Sequence, residues 1–227
     1  MARSKIIVDF VQDNIPLSKM LLRLKTLIFE LHNDEILEWI NYEINGYDET
    51  KVVPKYRKII GDVTCDIFQF NRIFQNVCLP LTYNNDYIIE ITTCSCKDSV
   101  SAIERMMNKE DGSLMSIIPM AAYPYLQNNV KINGNIQNAK VVYAVHQFSD
   151  IYSAIKNKVL DILLTLEQEC GNLDNYDLNI TETSREKIIQ IIQNIIFEDN
   201  SITIGNNNKI KDTKILNKTN IKDEKVI

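Results

Sequence analysis

The chain has 227 residues and 26.3 kDa, is 45% hydrophobic and 24% charged, and carries a formal net charge of −5. These values describe a globular protein long enough for one compact domain with an appendage, and they exclude wholesale disorder and collagen-like repetition. No apolar run reaches the ~18 residues of a transmembrane helix, and the opening residues lack the apolar stretch of a signal peptide. A pI near 5.2 argues against broad attraction to nucleic acid or to a membrane surface.

Residues 2–12 place Ile6, Ile7, Phe10 and Val11 at helical spacing and predict a short amphipathic helix. Pro16 suits the first turn of a second helix, where its missing N–H is harmless. Leu17, Met20, Leu21, Leu24, Leu27, Ile28 and Leu31 then recur three and four apart, up to about His32. Asn33 or Asp34 caps a third helix with Ile36, Leu37, Ile40 and Ile44 on one face and Trp39 beside it. Gly46 ends that helix. The short link between the two predicts a helical hairpin sharing a Leu/Ile seam.

The period then changes. Residues 58–70 and 87–93 read as strands, with loop or edge structure over 71–85. A helix over 97–108 is capped by Asp98 or Ser99, a turn follows at 110–113, and 114–118 reads as a short strand ending at Pro119. Residues 121–126 suggest a helical turn broken around Pro124, and 141–148 a further strand. Asp150 is the expected cap of a long helix over 151–170, with Ile155, Val159, Ile162, Leu163 and Leu166 on one face.

After Gly171 the composition turns polar, and 172–182 reads as a linker. Residues 183–197 predict a helix with Ile188, Ile189, Ile191, Ile192, Ile195 and Ile196 nearly all round it, which must be buried somewhere. Residues 200–227 set Ile202, Ile204, Ile210 and Ile215 among Asn, Lys and Thr, the pattern of a strand–turn–strand unit around Gly205-Asn206. This stretch holds six Lys against three acidic residues, a surplus of +3, which leaves −8 for residues 1–199. A lone hairpin is marginal in water and calls for a partner or another copy of itself.

Chemistry is harder to find. The five cysteines (65, 78, 94, 96 and 170) are odd in number and contain no Cys-x-x-Cys pair, which points to a reduced, cytoplasmic protein. Cys94 and Cys96 share a predicted strand face, but only His32 and His146 are available to complete a zinc shell, so no metal and no cofactor is expected. His32 falls at a predicted helix end and His146 in a predicted strand, and both read as structural. The six glycines are scattered singly, so no phosphate-cradling loop exists, and no hydrolase, metalloprotease or kinase motif occurs. Asp62, Asp66 and Glu90 are the carboxylates that adjacent strands could bring together around a divalent ion, as in a nuclease.

The densest feature is Trp39-Ile40-Asn41-Tyr42-Glu43-Ile44-Asn45-Gly46-Tyr47 followed by Pro54-Lys55-Tyr56-Arg57. Trp39 and Glu43 share a helix face, with Tyr47 just past the cap. One reading is a ligand site, in which Tyr47, Tyr56 and Arg57 stack bases or other planar groups. The other is a polar-tipped core in which Arg57 pairs with Glu43 and the tyrosine hydroxyls tie the helix end to the sheet. The core reading is favoured, and Trp39, Glu43, Tyr47, Tyr56 and Arg57 are the candidate binding residues.

This segment, with Ile15-Pro16-Leu17-Ser18 and Leu21-Leu22-Arg23-Leu24-Lys25 before it, resembles the AbiTii domain of bacterial proteins associated with abortive infection and other anti-phage defence. Leu79-Pro80-Leu81 and Leu166-Glu167 extend the likeness, which covers roughly residues 13–170. The family supplies no catalytic residues to carry over.

The expectation is an α+β protein: residues 1–171 form a helical hairpin on a small sheet with a long closing helix, 172–182 a linker, and 183–227 an Ile-rich helix with a short β tail. The resemblance implies anti-phage defence. The missing catalytic cluster implies a non-enzymatic sensor or adaptor that assembles with itself or with a partner defence protein through residues 183–227. A metal-dependent nuclease toxin and a nucleic-acid-binding module are the alternatives.

Overall fold

The helical opening lies where the apolar spacing puts it. In the computed structural model, which describes residues 3–83, 85–108, 113–130, 132–176, 178 and 180–197, α1 is Lys5–Val11, α2 Leu17–Phe29 and α3 Asp34–Asn45. Leu17, Met20, Leu21, Leu24, Leu27 and Ile28 of α2 are buried, and α3 packs on them through Ile36, Trp39 and Ile40. Pro16 has no side chain with which to cap α2. Glu104, distant in sequence, does so instead, accepting the Ser18 N–H at 3.1 Å and the Ser18 hydroxyl at 2.7 Å. Asn33 caps α3 by accepting the Ile36 N–H at 3.0 Å. Gly46 closes α3 at φ 95°, where a Cβ would lie 2.8 Å from the Lys97 carbonyl oxygen.

Two antiparallel sheets follow. β1 (Lys58–Ile60) pairs with β4 (Thr93–Ser95), and β2 (Asp62–Gln69), β3 (Arg72–Cys78), β5 (Ser113–Ile117) and β6 (Asn135–Ala144) form a sheet of order β3-β2-β6-β5. The expected strand over 58–70 is thus two strands parted at Gly61. A Cβ there would stand 2.5 Å from Val141 Cγ1, so glycine lets the chain pass against β6. Val63, Cys65 and Ile67 of β2 and Ile136, Ala139, Val141 and Tyr143 of β6 line the buried face. Residues 72–78 form an edge strand, one of the two possibilities raised for that stretch.

The strand expected over 87–93 is a helix, α4 (Asp86–Thr92). Its β-branched residues suggest a strand, yet Ile88 and Thr92, four apart, are the two that are buried, and that spacing is helical. Asn85 starts the helix by accepting the Tyr87 N–H at 2.9 Å, and the Thr92 and Thr93 hydroxyls donate to the carbonyls four residues back, both at 2.6 Å. Helix α5 (Val100–Met107) has Ser99 as its cap. Helix α6 (Tyr123–Asn129) is not broken at Pro124, because the proline sits in its first turn.

The long helix α7 (Val145–Cys170) begins earlier than Asp150, and the strand before it ends at Ala144 rather than 148. Gln147 makes this start: its Oε1 accepts the Ala144 N–H at 3.2 Å and its Nε2 donates to the Ile60 carbonyl at 2.7 Å. His146 therefore lies in the first turn of α7 and not in a strand. Buried residues from Phe148 to Leu166 recur three and four apart along α7, which touches α1, α2, α5, α8 and β6 and forms the centre of the molecule.

The described residues of 172–182, a stretch linker-like in composition, lie against this body. Leu173 and Leu178 are buried, the Leu173 N–H donates to the Ser4 hydroxyl at 3.0 Å, and the Leu178 N–H donates to Glu30 at 2.8 Å. Helix α8 (Glu182–Phe197) packs on α7 and α3 with Ile188, Ile192 and Ile196 buried. Three of the six isoleucines singled out in this helix are thus buried inside their own chain, Ile189, Ile191 and Ile195 are half-buried, and one apolar cluster runs from Ile6 to Ile196. The β tail expected over 200–227 lies outside the described residues.

Candidate functional site

Helix α3 carries Trp39 and Glu43 on one face, Gly46 turns the chain so that Tyr47 follows, and a short 3-10 turn over Lys55–Arg57 returns Tyr56 and Arg57 to the same place. The Arg57 guanidinium donates to Glu43 twice, from Nε to Oε1 at 3.2 Å and from Nη2 to Oε2 at 2.5 Å, with both side chains 0% exposed. Its Nη1 donates to the carbonyls of Cys96 at 3.1 Å and Asp98 at 2.8 Å, which ties β4 and the α5 cap to α3.

Glu43 Oε1 also accepts the hydroxyls of Tyr47 at 2.8 Å and Tyr56 at 2.7 Å, and the Trp39 indole N–H donates to the Tyr56 hydroxyl at 2.9 Å. All five candidate residues therefore belong to one network, and the Glu43–Arg57 pairing expected from the sequence is present. Burial, and then the negative charge of Glu43, push the Tyr47 and Tyr56 phenols well above their ordinary value. Burial alone would lower the Arg57 guanidinium, but the Glu43 carboxylate outweighs it and holds the charge in place. The acid, the base and the donors satisfy one another, so this network orders the chain and holds its protons fast.

An open cleft of about 1210 Å³ lies beside the network. Trp39, Tyr47 and Tyr56 line it, whereas Glu43 and Arg57 stand behind them and do not. Tyr47 stacks on Tyr42 with centroids 4.9 Å apart and planes at 19°, the Arg57 guanidinium lies 4.9 Å from the Tyr47 centroid, and Lys51 Nζ lies 5.5 Å from that of Tyr42. The remaining walls come from Glu35 and Glu38 of α3, from Lys51–Lys55, from Ala154, Asn157, Lys158 and Asp161 of α7, and from Ile195–Phe197 at the end of α8. Sequence reading missed these walls, since α7 and α8 are more than a hundred residues from Trp39; the one local signal was Tyr42, inside the aromatic cluster.

The other candidates lie apart from the cleft. Asp62 and Asp66 are on β2 and Glu90 is on α4, and Asp66 accepts the Asn76 N–H at 3.0 Å and Asn138 Nδ2 at 2.9 Å. Among the described residues, no three His, Cys, Asp or Glu side chains come together as a metal site. Burial pushes the thiols of Cys65 and Cys96 up to about 11, so both stay protonated at neutral pH. No helix among the described residues is long and apolar enough to cross a membrane.

No curated protein and no solved structure matches this chain. The AbiTii family model does match, over residues 4–196, and so takes in α1 and α8, beyond the segment that first showed the likeness. With most of its length matched, the chain belongs to the AbiTii family, whose name marks abortive-infection defence of bacteria against phage.

Proposed function

We propose that the chain is a non-enzymatic sensor or adaptor in a cytoplasmic abortive-infection system, and that it assembles with further copies of itself through its C-terminal region. The observation that supports this most is the closure of the Glu43 network. The residues whose types best suit acid–base or stacking chemistry are engaged with one another, and two of them are fully buried. What they leave open is a cleft with aromatic, aliphatic and mixed-charge walls, the lining of a binding surface.

Because α8 places Ile188, Ile192 and Ile196 inside its own chain, assembly falls to residues 198–227. Light scattering on the full chain, compared with a chain ending at Phe197, tests this reading. A full chain of several times the monomer mass, reduced to the monomer by truncation, supports it. Identical monomer masses at tens of micromolar overturn it.

A further inference from the structure

We propose that the cleft is the receptor for assembly, and that it takes residues 198–227 from a second copy of the chain. This rests on the reading that the chain assembles through its C-terminal region, and it names where that region docks. The cleft is larger than the roughly 300–1,000 Å³ typical of small-ligand pockets, at about 1210 Å³, so it can accept several side chains of a peptide. Two large apolar side chains, Val52 at 84% and Phe197 at 56% exposure, stand on its lining in a position to grip aliphatic groups.

The proposed occupant matches in composition. Ile202, Ile204, Ile210 and Ile215 supply apolar groups separated by Asn, Thr and Lys, and residues 198–227 hold six Lys against five acidic residues. The cleft lining holds three carboxylates (Glu35, Glu38 and Asp161) and three lysines (Lys51, Lys55 and Lys158), so polar side chains of either sign find partners there beside its apolar walls.

Length suits a second copy. Thirty residues follow Phe197, and at full extension they span about 100 Å, enough to reach a neighbouring molecule. Phe197 is itself part of the cleft wall, so the chain that follows starts beside a cleft and can link it to the next copy. Tail-to-cleft contact is heterologous: it closes a ring when the rotation between copies permits and otherwise extends as a filament.

Complementation between two full-length variants tests this. Val52→Arg places a bulky cation on the rim without touching the core. A tail variant with Ile202→Asp, Ile204→Asp and Ile210→Asp leaves the cleft intact. Each alone should self-associate roughly tenfold or more weakly than wild type by light scattering. Their mixture should restore a one-to-one dimer, because one contributes a sound tail and the other a sound cleft. If wild type assembles and Val52→Arg assembles equally well, the cleft is not the receptor, although assembly through the tail stands. If wild type is monomeric and lysine cross-linking joins the tail to Lys51 of the same chain, the segment occupies its own cleft and the inter-copy proposal fails. A monomeric wild type without such cross-links removes both the proposal and the assembly reading.

Discussion

The Arg57 guanidinium reaches Glu43 through two nitrogens, at 3.2 and 2.5 Å, and neither side chain has any exposure to solvent. A buried ion pair of this kind adds little net stability over an apolar pair of equal volume, but removing one partner leaves an uncompensated charge. The pair therefore acts as a geometric lock. It joins the end of α3 to the Lys55–Arg57 turn and to the carbonyls before α5, and so sets the floor of the cleft.

The tyrosines that complete this lock predict the response to alkali. Burial, followed by the Glu43 charge, raises the folded-state values of Tyr47 and Tyr56 above the unfolded phenol value of about 10. A raised value means that their contribution is intact below that pH and lost as pH climbs beyond it. Urea unfolding across a pH series should show a steep fall in stability above about pH 10, and Tyr56→Phe should flatten it. All ten tyrosines ionising together near the ordinary value in the folded protein would contradict this placement.

Trp39 and Tyr56 differ in what they contribute. Trp39→Ala removes a buried ring and should cost about 3–5 kcal/mol. Tyr56→Phe keeps the ring but strands the indole N–H and removes one of the three hydrogen bonds to Glu43 Oε1, for about 1–3 kcal/mol. Tyr42→Phe, whose hydroxyl meets the more exposed Glu38, should stay within about 0.5 kcal/mol of wild type. Denaturant melts rank the three, and equal losses for the two Phe variants would show that Tyr56 is not embedded as described.

Helix α8 is predicted to be part of the core. Ile192→Ala should cost about 2–5 kcal/mol, as for other buried aliphatic truncations. A chain ending at Gly171, with the facing surfaces of α7 and α3 uncovered, should lose soluble yield and cooperative unfolding, while one ending at Phe197 should melt close to the full chain. Indistinguishable melting of the two truncations would make α8 a separate unit.

The carboxylates outside the cleft should be dispensable. A triple variant of Asp62→Asn, Asp66→Asn and Glu90→Gln should retain wild-type protection in a phage plating assay, because Asp62 and Asp66 on β2 and Glu90 on α4 do not come together as a metal site. Lost protection with unchanged stability would revive a nuclease.

What could be read from the residues was what is local. Trp39, Glu43 and Tyr47 follow from helical spacing plus one capping glycine, and Tyr56 and Arg57 lie a short loop away, so their meeting was legible. The cleft was not, because its far wall is Lys158 and Ile195, joined only by the tertiary packing of α7, α8 and α3. Residues 87–93 misled because an Ile/Thr run has strand propensity, whereas the burial over Asp86–Thr92 is helical. The start of α7 was missed because Asp150 is a conventional cap, while the actual start uses Gln147 from inside the first turn.

The central claim is that the Glu43–Arg57 cluster is architecture and not a reacting or ligand-holding site. A double-mutant cycle with Glu43→Leu and Arg57→Met, read by denaturant unfolding alongside phage plating, tests it most directly. Each single variant should lose about 3–5 kcal/mol and lose protection in proportion to folded protein, and the double variant should be markedly more stable than the sum of the two losses implies. Single variants that keep wild-type stability and abolish protection would contradict it, and would make the cluster the functional site itself.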